Sequence, residues 1–149
     1  MLKWIKDLLL KLMGLKYIQY IPKHLDLKYF KNDLSEFDSP DEVGSGSKMD
    51  SKFLEKLDYA RGNVDGQMVF KINSAYRSEK WNLKCGGRWG SSHKKGLAVD
   101  IAYNGSRERY LLVNALMQIG INRIGISKSG SFVHADVDKS KDPDVIWLY

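Results

Sequence analysis

The chain has 149 residues, 43% of them hydrophobic, and a formal net charge of +6 from 24 Lys+Arg against 18 Asp+Glu. That length supports one core rather than two, and the single cysteine, Cys85, excludes both a disulfide framework and a Cys-rich zinc ribbon. The positive balance favours a polyanionic partner such as nucleic acid, anionic lipid or cell-wall polymer, without choosing among them.

We expect one domain over residues 31–149, preceded by a basic N-terminal segment, residues 1–30. The segment opens MLKWIKDLLLKLMGLKYIQYI, and Lys11 breaks its longest apolar stretch well short of the roughly 20 residues that span a bilayer. A cleaved export signal stays open as a weak alternative, since no small-x-small cleavage pattern follows the apolar core. On a helix, Leu2, Ile5, Leu9, Leu12 and Met13 share a side while Lys3, Lys6 and Lys11 fall mostly elsewhere. Such a basic amphipathic helix packs on the domain or a partner, or else touches a membrane surface.

DSPDEVGSGSKMD, residues 38–50, is rich in turn formers and reads as a loop. Asp50 then caps a helix whose Phe53, Leu54, Leu57 and Ala60 share one face before Gly62. QMVFKINS, residues 67–74, reads as a strand. Arg77 follows it directly, where a loop guanidinium either grips a bound carboxylate through two bonds or lies on the surface as an ordinary arginine. CGGRWGSS is the next loop.

LAVDIAY is a second strand, with Leu97, Val99 and Ile101 on one face and Ala98, Asp100 and Ala102 on the other. Ser106 opens a helix striped by Leu112, Ala115, Leu116 and Ile119 and closed by Gly120. INRIGIS and SFVHADVD are two further strands separated by the turn SKSG. In the last strand Val133, Ala135 and Val137 take the core face, and Phe132, His134, Asp136 and Asp138 the opposite one. Helices followed by a small sheet with one inserted helix make an α+β fold.

His93 and Asp100 stand seven positions apart. On a helix that spacing is about 10 Å along the axis, too far for one ion with bonds of about 2 Å. A turn at Gly96 can instead fold His93 back over the strand, where Ala98 and Ala102 leave space beside Asp100. If LAVDIAY and SFVHADVD are sheet neighbours, Asp100 and His134 can face each other with Cβ atoms about 5 Å apart. Two histidines and a carboxylate then converge, a three-ligand set with a fourth position open, as in catalytic rather than structural zinc. The remaining histidine, His24, lies in the N-terminal segment. Taken singly, each of the three reads as a hydrogen-bonding loop histidine or a solvated acid; it is the joint pattern that argues for metal.

NSAYRSEKWNLKCGGRWGSSHKKGLAVDIA together with SFVHADVD resembles the zinc D-Ala-D-Ala carboxypeptidase and L-alanyl-D-glutamate endolysin family, most closely its small phage and bacterial branch, over roughly residues 34–138. The frame Ser-x-His-x-x-Gly-x-Ala-x-Asp at residues 91–100 is the specific part, while AYRS and VHAD are short but correctly ordered. The resemblance implies a hedgehog-like fold, a small antiparallel sheet flanked by helices. It also implies Zn2+ held by His93, Asp100 and His134, with Arg77 fixing a substrate carboxylate. The implied chemistry is hydrolysis of bonds involving D-amino acids in peptidoglycan stem peptides at the bacterial cell envelope, by a carboxypeptidase or by an endopeptidase such as a phage endolysin.

Several branches carry Glu or Asp three residues before the second histidine ligand, and here that position is Ser131. Asp136 becomes the general-base candidate and Asp138 a weaker one, the alternative for Asp136 being a partner that orients a ligand histidine. Ser131 also gives weight to a second reading, a non-catalytic, metal-containing wall-binding module of the same fold. Nucleic-acid binding has only the net charge behind it, because Trp4, Trp81, Trp89 and Trp147 are scattered rather than interleaved with basic residues.

Overall fold

Short runs of β-branched and aromatic residues become the strands β1 (Lys71–Ser74), β2 (Ala98–Ala102), β3 (Arg123–Ile126), β4 (Phe132–Asp136) and β5 (Val145–Leu148) in the computed structural model, which describes residues 25–149. They form one five-stranded sheet of order β1-β2-β4-β3-β5. The first four strands pair antiparallel, as expected, and β5 joins β3 in parallel. The basic amphipathic helix expected near the N-terminus lies outside the described residues.

The period of two sends Val99, Ile101, Ile124, Val133 and Ala135 to one face, where all are fully buried. That face packs with α1 (Ser51–Gly62) and α3 (Gly105–Gln118) in one hydrophobic core. α1 contributes Phe53, Leu54, Leu57 and Ala60, and α3 contributes Leu111, Leu112, Ala115 and Leu116. Asp50 caps α1 as its position suggested: its Oδ1 accepts from the Phe53 N–H at 2.8 Å, a bond of the kind worth about 1 kcal/mol. Upstream residues Leu27, Phe30 and Phe37 extend the same core.

QMVFKINS is a strand only over its second half. Gln67 and Met68 donate their amides to the Val64 carbonyl in a turn, so pairing with β2 begins at Lys71 even though Met68 and Phe70 are buried. Between β1 and β2 the chain forms the short helix α2 (Glu79–Lys84) and a 3-10 turn, Ser92–Lys95. Both are too short for a periodicity to announce them. Their consequence is positional, because the 3-10 turn carries His93 to the polar face of the sheet.

Candidate metal centre

A single row across the sheet carries the polar residues. Ser74 on β1 pairs with Asp100 on β2, Asp100 with His134 on β4, His134 with Gly125 on β3, and Gly125 with Trp147 on β5. Register partners point their side chains to the same face, so Asp100 and His134 meet on the side away from the core. His93 reaches them because the 3-10 turn ends in Gly96 at φ 68°. A Cβ there would stand 2.2 Å from the Lys48 carbonyl oxygen, so the turn requires glycine for space as well as for conformation.

His93 Nε2, Asp100 Oδ1 and His134 Nδ1 form a triangle. The two nitrogens are 3.3 Å apart, His93 Nε2 lies 3.3 Å from Asp100 Oδ1, and His134 Nδ1 lies 2.9 Å from it. A tetrahedral ion with bonds of about 2.0–2.2 Å holds its ligand atoms about 3.3 Å apart. These three residues are only 4%, 7% and 6% exposed, so little water reaches between them.

The remaining polar atom of each residue is fixed from behind. His93 Nδ1 lies 2.7 Å from the Ala75 carbonyl oxygen; a carbonyl only accepts, so Nδ1 carries the proton and Nε2 offers a lone pair. His134 Nε2 donates to Asp136 Oδ2 at 3.0 Å, which turns Nδ1 toward the triangle. Arg77 Nη2 donates to Asp100 Oδ2 at 2.7 Å, leaving Oδ1 for the histidines, and Arg77 Nε donates to Ser74 Oγ at 2.7 Å. Three acceptors are thereby aimed at one point, and buried acceptors this close repel unless a cation or a proton lies between them. The donor set fits a divalent ion of the zinc type.

The proton balance of the protein alone follows the same geometry. Burial pushes the His93 imidazole below its ordinary value. Burial also pushes His134 down, but its bonds to Asp100 and Asp136 outweigh this and raise it. For Asp100 burial acts upward, and the bonds from His134 and His93 outweigh it, holding the carboxyl well below the usual carboxylate range.

Asp136 and Asp138 stand apart from the triangle. Asp136 is buried behind His134, its Oδ1 accepting from Arg123 Nε at 2.7 Å and from the Asp138 amide at 3.1 Å. Its register partner Ala98 presents only a methyl group on the other side. Asp138 accepts from Ser92 Oγ at 2.9 Å, Lys95 Nζ at 2.9 Å and Ser140 Oγ at 2.7 Å, tying the His93 turn to the end of β4. Ser131 bonds Ser129 Oγ at 2.7 Å in the turn before β4, so no carboxylate occupies that place.

Arg123, Gly125, Trp147 and Tyr149 also surround the site and were not singled out from the sequence. No alternation marks VIWLY as a strand, since it is apolar throughout; once it is one, a period of two puts Trp147 and Tyr149 on one side.

A buried His, Asp, His group that could hold a metal ion, mounted on the polar face of a small mixed sheet, defines the class as an α+β protein with a candidate three-ligand centre. A family model described as Peptidase M15 matches residues 28–136, and the chain belongs to that family. The family consists of zinc-dependent peptidases that act on peptidoglycan peptides, which supports a peptidase of the cell-wall type in general terms. No curated protein matches the chain.

Proposed function

We propose that the protein is a zinc-dependent peptidase that hydrolyses D-amino-acid-containing bonds of peptidoglycan stem peptides, with His93, Asp100 and His134 as the zinc ligands. The observation that carries this reading is the triangle of converging acceptors, each anchored from behind by Ala75, Arg77 or Asp136. Zinc bound there supplies a Lewis acid for the scissile carbonyl and lowers the pKa of water toward about 7.

The chain's own residues prepare that chemistry. Arg77 holds Asp100 in place through Oδ2, and in this reading its other Nη, which makes no hydrogen bond among the described residues, meets a substrate carboxylate, so the guanidinium serves both ligand and substrate. Asp136 holds the Nε2 proton of His134, fixing the tautomer that offers Nδ1. With Oδ2 engaged there and Oδ1 engaged by Arg123, Asp136 acts as a positioning residue; it lies across the imidazole ring from the point where water would be activated. The basic net charge draws the protein to the anionic wall polymer.

Ser131 supports one competing reading, a module that keeps the metal and binds the wall without hydrolysis. Incubation of purified peptidoglycan with the full chain and zinc separates the two. Release of cut stem peptides or D-alanine that stops on chelation is the expected result, and wall binding with no product would leave only the module.

A further inference from the structure

The last strand brings rings to the metal group from outside the family-matched segment, which ends at residue 136. In the row that carries Asp100 and His134, the next two partners are Gly125 and Trp147. A side chain at 125 would keep β5 residues away from His134. Instead, a Cβ built at Gly125 would lie 2.7 Å from ring atoms of both Trp147 and Tyr149, closer than non-bonded carbons approach, and rings cannot bend aside.

The two rings use that gap. The Trp147 centroid lies 5.6 Å from the His134 ring and the Tyr149 centroid 6.1 Å from it, with 6.0 Å between them. Phe132 extends the surface at 5.7 Å from Tyr149. Arg123 fixes Trp147 from another side, its guanidinium 5.5 Å from the ring while its Nε holds Asp136. Neither Trp147 nor Tyr149 is part of the hydrophobic core, and Tyr149 is 49% exposed. Aromatic area on the polar face, next to a metal group and half open to water, is suited to a ligand rather than to packing.

The row therefore has unlike ends. Arg77, bonded to Ser74 and Asp100, marks a cationic end on the β1 side, and Trp147 with Tyr149 marks an aromatic end on the β5 side. We propose that Trp147 and Tyr149 form an aromatic wall of the substrate groove, against which the small alkyl side chains of a stem peptide pack beside the scissile bond, and that Gly125 is the residue that admits this wall. The inference rests on the peptidase reading. A peptide with a free carboxylate and alanine methyl groups matches both ends, the carboxylate toward Arg77 and the methyls toward the rings.

The test uses the zinc-loaded full chain and a soluble stem pentapeptide ending in D-alanyl-D-alanine, with zinc affinity measured by competition against a chromophoric chelator. Tyr149→Ala is expected to raise KM about tenfold while kcat and zinc affinity stay within about twofold, a selective loss of substrate contact. Tyr149→Phe, which keeps the ring, is expected to stay near the parent protein, and Gly125→Ala to reproduce the KM increase by displacing both rings. A Tyr149→Ala variant with the parent KM overturns the wall while leaving the peptidase reading intact, as does a rise in KM that merely follows loss of zinc. A parent protein that binds zinc but neither binds nor cleaves the peptide overturns the peptidase reading, and the wall with it.

Discussion

His134 is bonded through both ring nitrogens, Nδ1 toward Asp100 at 2.9 Å and Nε2 toward Asp136 at 3.0 Å, so its protonation decides what the site can hold. Its imidazole is raised in the protein alone, despite burial, because two carboxylates flank it. Zinc must displace that proton. Zinc affinity is therefore expected to be highest above the raised His134 value and to fall by about tenfold per pH unit below it, one proton being released per ion bound. Chelator competition across a pH series checks this, and an affinity flat through that range would contradict it. Asp136→Asn keeps an acceptor for Nε2–H but removes the charge, so a loss in zinc affinity of about tenfold or more is expected, with turnover restored by excess zinc. Turnover abolished at full zinc occupancy would instead make Asp136 the proton acceptor. The meeting of Asp100 and His134 was legible in the sequence because a period of two fixes which strand residues share a face. The bond from Arg77 to Asp100 was not, since a loop residue's direction is set by tertiary contacts.

The same contrast holds for elements. Strands β2 and β4 and helices α1 and α3 could be read because alternation, a capping Asp50 and helical stripes agree within each. The sequence did not announce β5, because VIWLY is short and wholly apolar, with no polar alternation to mark it, and it pairs in parallel with a strand well upstream. The 3-10 turn that carries His93 depends on two contacts that periodicity does not report. One is Gly96, and Gly96→Ala is expected to destabilise the protein by about 2 kcal/mol or more in urea titration, combining a left-handed backbone with a clash at Lys48. The other is Asp138. Burial pushes its carboxyl up, but bonds from Ser140, Lys95 and Ser92 outweigh this and hold it well below the ordinary range. A depressed carboxylate stabilises the fold above its unfolded value of about 3.9, and that contribution is lost as pH falls through the folded value. Asp138→Asn is thus expected to lower the urea midpoint at neutral pH, with the gap to the parent protein closing on acidification. A gap independent of pH would contradict the ionic clamp.

At the scale of the whole molecule, the three ligand candidates link two separated stretches of chain: the 3-10 turn with His93, which runs directly into β2 with Asp100, and β4 with His134. An ion bound by all three holds those stretches together only in the folded state. Zinc at about a thousandfold excess over its Kd is expected to stabilise the fold by about 4 kcal/mol, raising the melting temperature by about 10 °C, and His93→Ala is expected to remove most of that shift. The core itself does not depend on the ion, since Val99, Ile101, Val133 and Ala135 bury the opposite face of the same strands. Metal loss is therefore expected to leave the protein folded and inactive. The most direct measurement takes metal content and muropeptide masses from one preparation, comparing the parent chain with Asp100→Ala after digestion of purified peptidoglycan. The expected result is about one zinc per chain with stem peptides cut at a D-amino-acid bond, and neither in the variant. Intact muropeptides from a fully zinc-loaded parent chain would contradict it.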